Sequence, residues 1–224
     1  MTTTPQAPQP LRIDFVSDVM CPWCVIGLKS LETALERTTH LVTPSLHFQP
    51  FELNPEMADE GENTAEHIAR KYGADPARAA ASRSALRDAA AAHNFQINSG
   101  PESRIWNSFN CHRLLHWAGL ISPTHQRALK LALFTAHFTN GEPMNTPQTL
   151  TNAAKTAGLD PDAAAEVLAS DRYTAEVRSA QAQWRAADIN AVPAIIFNRQ
   201  YLILGGQPPE AFENFIHKLT TKAA

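Results

Sequence analysis

Cys21-Pro22-Trp23-Cys24 sets two thiols three residues apart, where an apolar run gives way to a helical one. Residues 11–16 read as a short strand of β-forming residues, and from Pro22 to about residue 37 Val25, Leu28, Leu31 and Leu35 recur at helical spacing. Proline suits the first position of a helix, where its missing N–H has no intrahelical partner to lose. Cys21 is therefore expected at the N-cap and Cys24 one turn inside, on the same face. The positive end of the helix dipole and the unpaired N–H groups there favour a thiolate, the reactive form of cysteine. The chemistry this allows is thiol–disulfide exchange. Cys21 would attack a client disulfide, and Cys24 would resolve the mixed disulfide that results. Pro22 and Trp23 sit between the thiols, where they tune thiolate stability and touch the client.

Two other uses of the thiols compete with exchange. A purely structural staple across so short a ring removes little chain entropy. A zinc site needs about four ligands, and the chain has no second Cys-X-X-Cys; His112 and His116, four apart on a helical stretch, would complete a Cys2His2 set across the fold. Asp18 and Asp14 are candidates for proton transfer to Cys24, a role in which a buried carboxyl with a raised pKa serves as base; as solvated cap and turn aspartates they would have no such role. The third cysteine, Cys111, reads either as a buried inert thiol or as a second redox group.

The whole chain must position these residues. Its 224 residues carry a formal net charge of −3, with 44% hydrophobic and 18% charged residues, which gives no electrostatic case for nucleic acid or an anionic membrane. No stretch approaches the roughly 20 apolar residues of a membrane span. Residues 1–10 are polar and proline-rich and read as a disordered tail without the apolar core of a secretory signal. The protein is accordingly expected in the cytoplasm, where most thiols are kept reduced.

Beyond the first helix, a strand is expected over residues 46–53, interrupted by Pro50 and so near a sheet edge. A strand–helix–strand unit of this length implies parallel strands joined by a right-handed crossover. From about 59 to 170 the chain becomes alanine-rich, with helix starts at Asp75-Pro76, Ser122-Pro123, Thr146-Pro147 and Asp160-Pro161, and with Gly119 and Gly158 suited to helix ends. A further helix over about 171–188 leads back to strands at 194–197 and 201–204, separated by Asn198-Arg199-Gln200. An amphipathic helix closes the chain from about 210 to 222. The order is β–α–β, a helical block, then β–β–α.

This order, with a Cys-X-X-Cys opening the first helix, resembles an α/β thioredoxin-like fold carrying a large all-helical insertion, as in the DsbA family of thiol–disulfide oxidoreductases. Residues 11–58 and 171–224 would form the two parts of the thioredoxin-like domain, with 59–170 inserted between them. Residues 17–27 around the cysteines, Phe51-Glu52-Leu53-Asn54-Pro55, Cys111-His112-Arg113-Leu114, Val192-Pro193-Ala194 and Gly205-Gly206-Gln207-Pro208 are similar to its FrnE-like branch. The resemblance implies a cis bond between Val192 and Pro193, facing the cysteines, with the backbone beside it pairing an extended client. Ala191 stands where the family usually has glycine, which would narrow that groove. The resemblance also implies protein thiol–disulfide oxidoreductase or isomerase activity on cysteine-containing clients, with a thioredoxin- or glutathione-type electron partner. No cofactor is expected beyond the redox-active disulfide, with glutathione as a co-substrate. Glutathione-dependent isomerases and kappa-type transferases are also similar, but they usually carry serine at the nucleophile position and lack the resolving thiol.

Overall fold

Leu11, Ile13 and Phe15 alternate with Arg12, Asp14 and Val16, giving the first strand one apolar and one mixed face. The computed structural model describes residues 7–73 and 75–222. Its first half contains β1 (Gln9–Ser17), α1 (Pro22–Arg37), β2 (Val42–Pro50), β3 (Glu62–Asn63), α2 (Thr64–Tyr72), α3 (Pro76–Ala91), β4 (Arg104–Ile105) and α4 (Phe109–Ile121). There follow α5 (Pro123–Phe134), a π-helical turn at Thr135–Thr139, α6 (Pro147–Thr156), α7 (Pro161–Leu168), α8 (Thr174–Ala186), β5 (Ala194–Phe197), β6 (Tyr201–Leu204) and α9 (Pro209–Lys222).

The main sheet has the order β2-β1-β5-β6, with β1 parallel to β2 and antiparallel to β5. Leu11, Ile13 and Phe15 join Val25, Leu28 and Leu31 of α1 and Phe212 and Ile216 of α9 in the main core. Val16 enters a smaller cluster with Phe51, Ile189 and Ala194, against which Trp184 of α8 packs. β1 is thus buried on both faces, as its central position demands. β2 lies at the edge, which tolerates Pro44 and Pro50.

The helices between β2 and α8 form a block that rests on the β2 side of the sheet through α4 and α5. Four of its helices start where a polar cap precedes a proline. Asp75, Ser122, Thr146 and Asp160 each accept a hydrogen bond from a backbone N–H in the first turn of α3, α5, α6 and α7. Arg113 of α4 ties the block together by donating to the carbonyls of Val167, in the last turn of α7, and of Ser170 and Arg172 beyond its end.

Several expectations shift. Gln9 and Pro10 belong to β1 rather than to a tail, because Gln9 pairs with Val42; residues 1–6 of that tail lie outside the described residues. β2 runs over 42–50 instead of 46–53, since the chain after Pro50 turns so that Leu53 N–H can reach Asp18. Gly119 lies inside α4, which runs on to Ile121 and is capped by Ser122. The Gln126 amide crosses Gly119 to reach the carbonyls of Leu115 and Phe48, and a Cβ there would stand 2.7 Å from its Nε2. The helix expected over about 171–188 is α8, which begins at Thr174, after Tyr173 turns the backbone to φ 65°, and ends at Ala186.

Candidate functional site

Pro22 starts α1, and Cys21 occupies its N-cap in an extended conformation, φ −97° and ψ 112°. All three cysteines are free thiols, with Cys24 one turn into the helix that Cys21 caps. Cys21 Sγ stands 3.6 Å from the Val192 carbonyl oxygen, to which it donates, and the Val192–Pro193 peptide is cis. Cys21 is only 4% exposed, whereas Trp23, two residues on, is 44% exposed. The cis-proline loop is held at its far side by a hydrogen bond from Gly205 N–H to the Pro193 carbonyl, 2.8 Å. The geometry brings Cys21, Pro22, Trp23, Cys24, Val192 and Pro193 to one spot.

Gly27 makes this close approach feasible. A Cβ on Gly27 would lie 3.1 Å from both the Pro193 Cγ and the Gly206 Cα, so the first two turns of α1 sit directly on the proline loop. Gly27→Ala therefore wedges the loop off the helix. Overpacking costs about 1–3 kcal/mol, which exceeds the roughly 1 kcal/mol by which alanine outdoes glycine in a helix. The variant is expected to show a lower urea midpoint together with faster alkylation of Cys21. Unchanged values for both would refute the tight contact.

Asp18, 1% exposed, lies directly behind the dithiol. Its Oδ1 accepts from Met20 N–H at 3.1 Å and its Oδ2 from Leu53 N–H at 2.7 Å. His112 Nε2 is 3.5 Å from Oδ1, too far for a sound hydrogen bond, and no other partner reaches that nitrogen among the described residues. Burial works to raise the Asp18 carboxyl, but the neighbouring His112 ring and the two N–H donors outweigh it and hold the carboxyl below the ordinary aspartate value. A carboxyl held low differs from the raised one expected of a base. Burial and the adjacent Cys21 sulfur push the Cys24 thiol well above the usual range, while Lys130 draws it back down.

The other candidates are placed apart. Asp14 lies on the face of β1 that carries Val16, opposite the face packed on α1, and its carboxylate is gripped by Arg12 at 2.6 and 2.9 Å and by Gln49 at 2.8 Å. The structure does not bring it to the thiols. Cys111 is fully buried on α4, and burial pushes its thiol up to about 12. The His116 ring packs 5.2 Å from that of Tyr173. Among the described residues no group of three or more His, Cys, Asp or Glu side chains is placed to hold a metal, so the Cys2His2 set is not assembled. Glu52, within the Phe51–Pro55 stretch, is buried and paired to Arg178, and its Oε1 has no partner among the described residues. Sequence reasoning missed Lys130, a buried lysine on α5. Its one sequence signal is its place on the same stripe as Leu133 and Phe134.

A dithiol at a helix start, set against a cis-proline loop on a β2-β1-β5-β6 sheet, defines a thioredoxin-like fold of the thiol–disulfide oxidoreductase kind. The chain belongs to the DSBA-like thioredoxin domain family, which it matches over residues 12–217. Among solved structures it is similar to a probable DsbA oxidoreductase from Streptomyces coelicolor, at 28% identity and a TM-score of 0.87 over 93% of this chain and 89% of that one. It shares the fold of a putative protein disulfide isomerase from Nitrosomonas europaea, at 16% identity and a TM-score of 0.72 over 96% of this chain and 100% of that one. It also shares the fold of the cytosolic disulfide reductase DsbM from Pseudomonas aeruginosa, at 13% identity and a TM-score of 0.62 over 95% and 100%. A search of the curated proteins finds no match. No helix among the described residues is long and apolar enough to cross a membrane.

Proposed function

We propose that the protein is a cytoplasmic protein thiol–disulfide oxidoreductase of the FrnE-like branch, working through the Cys21–Cys24 couple. The observation that carries this reading is the Cys21 thiol at the start of α1, one turn from Cys24 and donating to the Val192 carbonyl beside the cis Val192–Pro193 bond. In the reducing direction Cys21 attacks a client disulfide. A Cys21–client bond forms, the client S–S bond breaks, and the first client sulfur leaves and takes up a proton. Cys24 then gives up its proton and attacks Cys21, the Cys21–client bond breaks, and the second client sulfur leaves and is protonated in turn. The client gains two electrons, and the protein is left as a disulfide for a thioredoxin- or glutathione-type partner to reduce. Run backwards, the same steps oxidise a client dithiol; release of Cys21 to a different client thiol isomerises.

The clients are cysteine-containing proteins whose extended backbone lies beside Val192. Exposed Ala191 and Trp23 border that approach. The presence of both Cys21 and Cys24 at the start of α1 favours this reading over a glutathione-dependent isomerase or kappa-type transferase.

The test is the reduction potential of the pair, by equilibration in glutathione buffers followed by thiol alkylation and mass measurement. A reversible two-electron couple is expected. A value near about −270 mV assigns a reductase and one near about −120 mV an oxidant. If no Cys21–Cys24 disulfide forms at any poise, the proposal is wrong.

A further inference from the structure

Between the edge strand β2 and helices α4, α5 and α8 lies a cavity of about 140 Å³. Phe48, His112, Leu115 and Lys130 are its buried walls, and half-buried Gln49, His116 and Ala180 leave it a way to solvent. Lys130 is 1% exposed, and a buried ammonium is costly unless charge or hydrogen bonds offset its lost hydration. Among the described residues it takes part in no ion pair with a carboxylate. Its Nζ lies 5.0 Å from the centre of the Phe134 ring, a modest cation–π contact. The amides beside it are already engaged. Gln126 donates to the Phe48 and Leu115 carbonyls and accepts from Phe48 N–H, and Gln49 donates to Asp14. The cavity wall thus holds a cation with no protein anion in ion-pair contact, beside space that can take one.

We propose that this cavity is a binding site for a small monovalent anion, a halide or a one- or two-carbon carboxylate, which pairs with the Lys130 ammonium between β2 and the helices. Size and charge set the class. The volume admits an anion of a few atoms and no bulky one. The Asp18 carboxylate stands behind His112, 3.5 Å from its Nε2, and Glu176 of α8 acts on His116 at the rim. Two carboxylates so placed oppose a doubly charged oxyanion more than a singly charged one. The apolar walls, Phe48 and Leu115, favour an anion that sheds its water easily. Burial draws the Lys130 ammonium below the ordinary lysine value, and a bound anion offsets that loss. Walls from β2, α4 and α5 enclose the site, so an occupant ties the helical block to the edge of the sheet. The proposal concerns the stability of that junction and stands apart from the exchange function.

Thermal unfolding of the reduced protein tests it, with sodium gluconate, too bulky for the cavity, replaced stepwise by sodium formate or sodium bromide at constant ionic strength. The parent Tm is expected to rise along a saturating curve, by about 3–6 °C once the anion exceeds its Kd tenfold. Lys130→Met removes the cation and is expected to abolish the rise; if it does not fold, Lys130→Gln carries the same expectation. Ala180→Leu keeps the lysine, fills the cavity from its rim, and is expected to abolish the rise as well. In parent crystals soaked in bromide, an anomalous peak is expected inside the cavity. A Tm that does not rise, or that rises without saturating, overturns the proposal, the second outcome being a general effect of salt. A saturating rise that survives in the lysine variants and in Ala180→Leu places the anion elsewhere and overturns it too. So does a cavity without a bromide peak, which would then hold water alone.

Discussion

Cys21→Ser abolishes turnover of a disulfide client, whereas Cys24→Ser halts it with the client still attached. The asymmetry follows from placement. Cys21 is the N-cap, its sulfur beside the Val192 carbonyl at the edge of the site, whereas Cys24 has no exposed surface. Incoming sulfur can reach the first and not the second. Serine is a far poorer nucleophile at neutral pH, so Cys21→Ser loses more than about a thousandfold in exchange rate. Cys24→Ser retains the attack and lacks the resolving thiol, so the mixed disulfide accumulates. Mass spectrometry of each variant after incubation with oxidised glutathione reads this directly. One adduct per chain on Cys24→Ser, and none on Cys21→Ser, is expected. An adduct on Cys24 in the Cys21→Ser protein would reverse the assignment. Cys111 offers no rival route, being fully buried with its thiol pushed up to about 12.

What could be read from the sequence is what local chemistry decides. Pro22 after Cys21, and the polar–proline pairs at 75–76, 122–123, 146–147 and 160–161, mark helix starts because the cap and the missing N–H act within one turn. Residues 194–197 and 201–204 read as strands, and the hairpin between them is closed by left-handed Asn198 and Arg199. The two-residue strands β3 and β4 carry no such signal, since pairing of Glu62 with Ile105 is a tertiary event. Nor does the π-helical turn after Phe134. Charged groups were the hardest to read. Asp14 has the residue type of a relay, yet strand alternation turns it away from α1 and an arginine two residues off, on the same face, claims it. Lys130 has the type of a surface residue and is buried only because α5 packs on β2 and α4. A lysine on an otherwise apolar stripe is the pattern by which such a group can be recognised.

Removing the Asp18 carboxylate is expected to cost about 3–5 kcal/mol of stability, the range for breaking a buried charged group away from its partners. Asp18→Ala leaves the N–H groups of Met20 and Leu53 without their acceptor and His112 without its neighbouring anion, all in buried surroundings. Since those two N–H groups fix the cysteine loop to the chain after β2, the loss loosens the frame that carries Cys21. Asp18→Asn keeps one oxygen to accept and should cost less, about 1–3 kcal/mol. The effect depends on pH in a definite direction. The folded carboxyl titrates below the ordinary value of about 4. Its contribution is therefore fully present above that value and is lost as pH falls through the folded pKa. The destabilisation of Asp18→Asn relative to the parent should hold constant from about pH 7 to pH 5 and shrink below about pH 4. Urea unfolding across that range tests it. A difference that grows on acidification would mean that burial wins and that Asp18 is raised, restoring the carboxyl to the role of a base for Cys24.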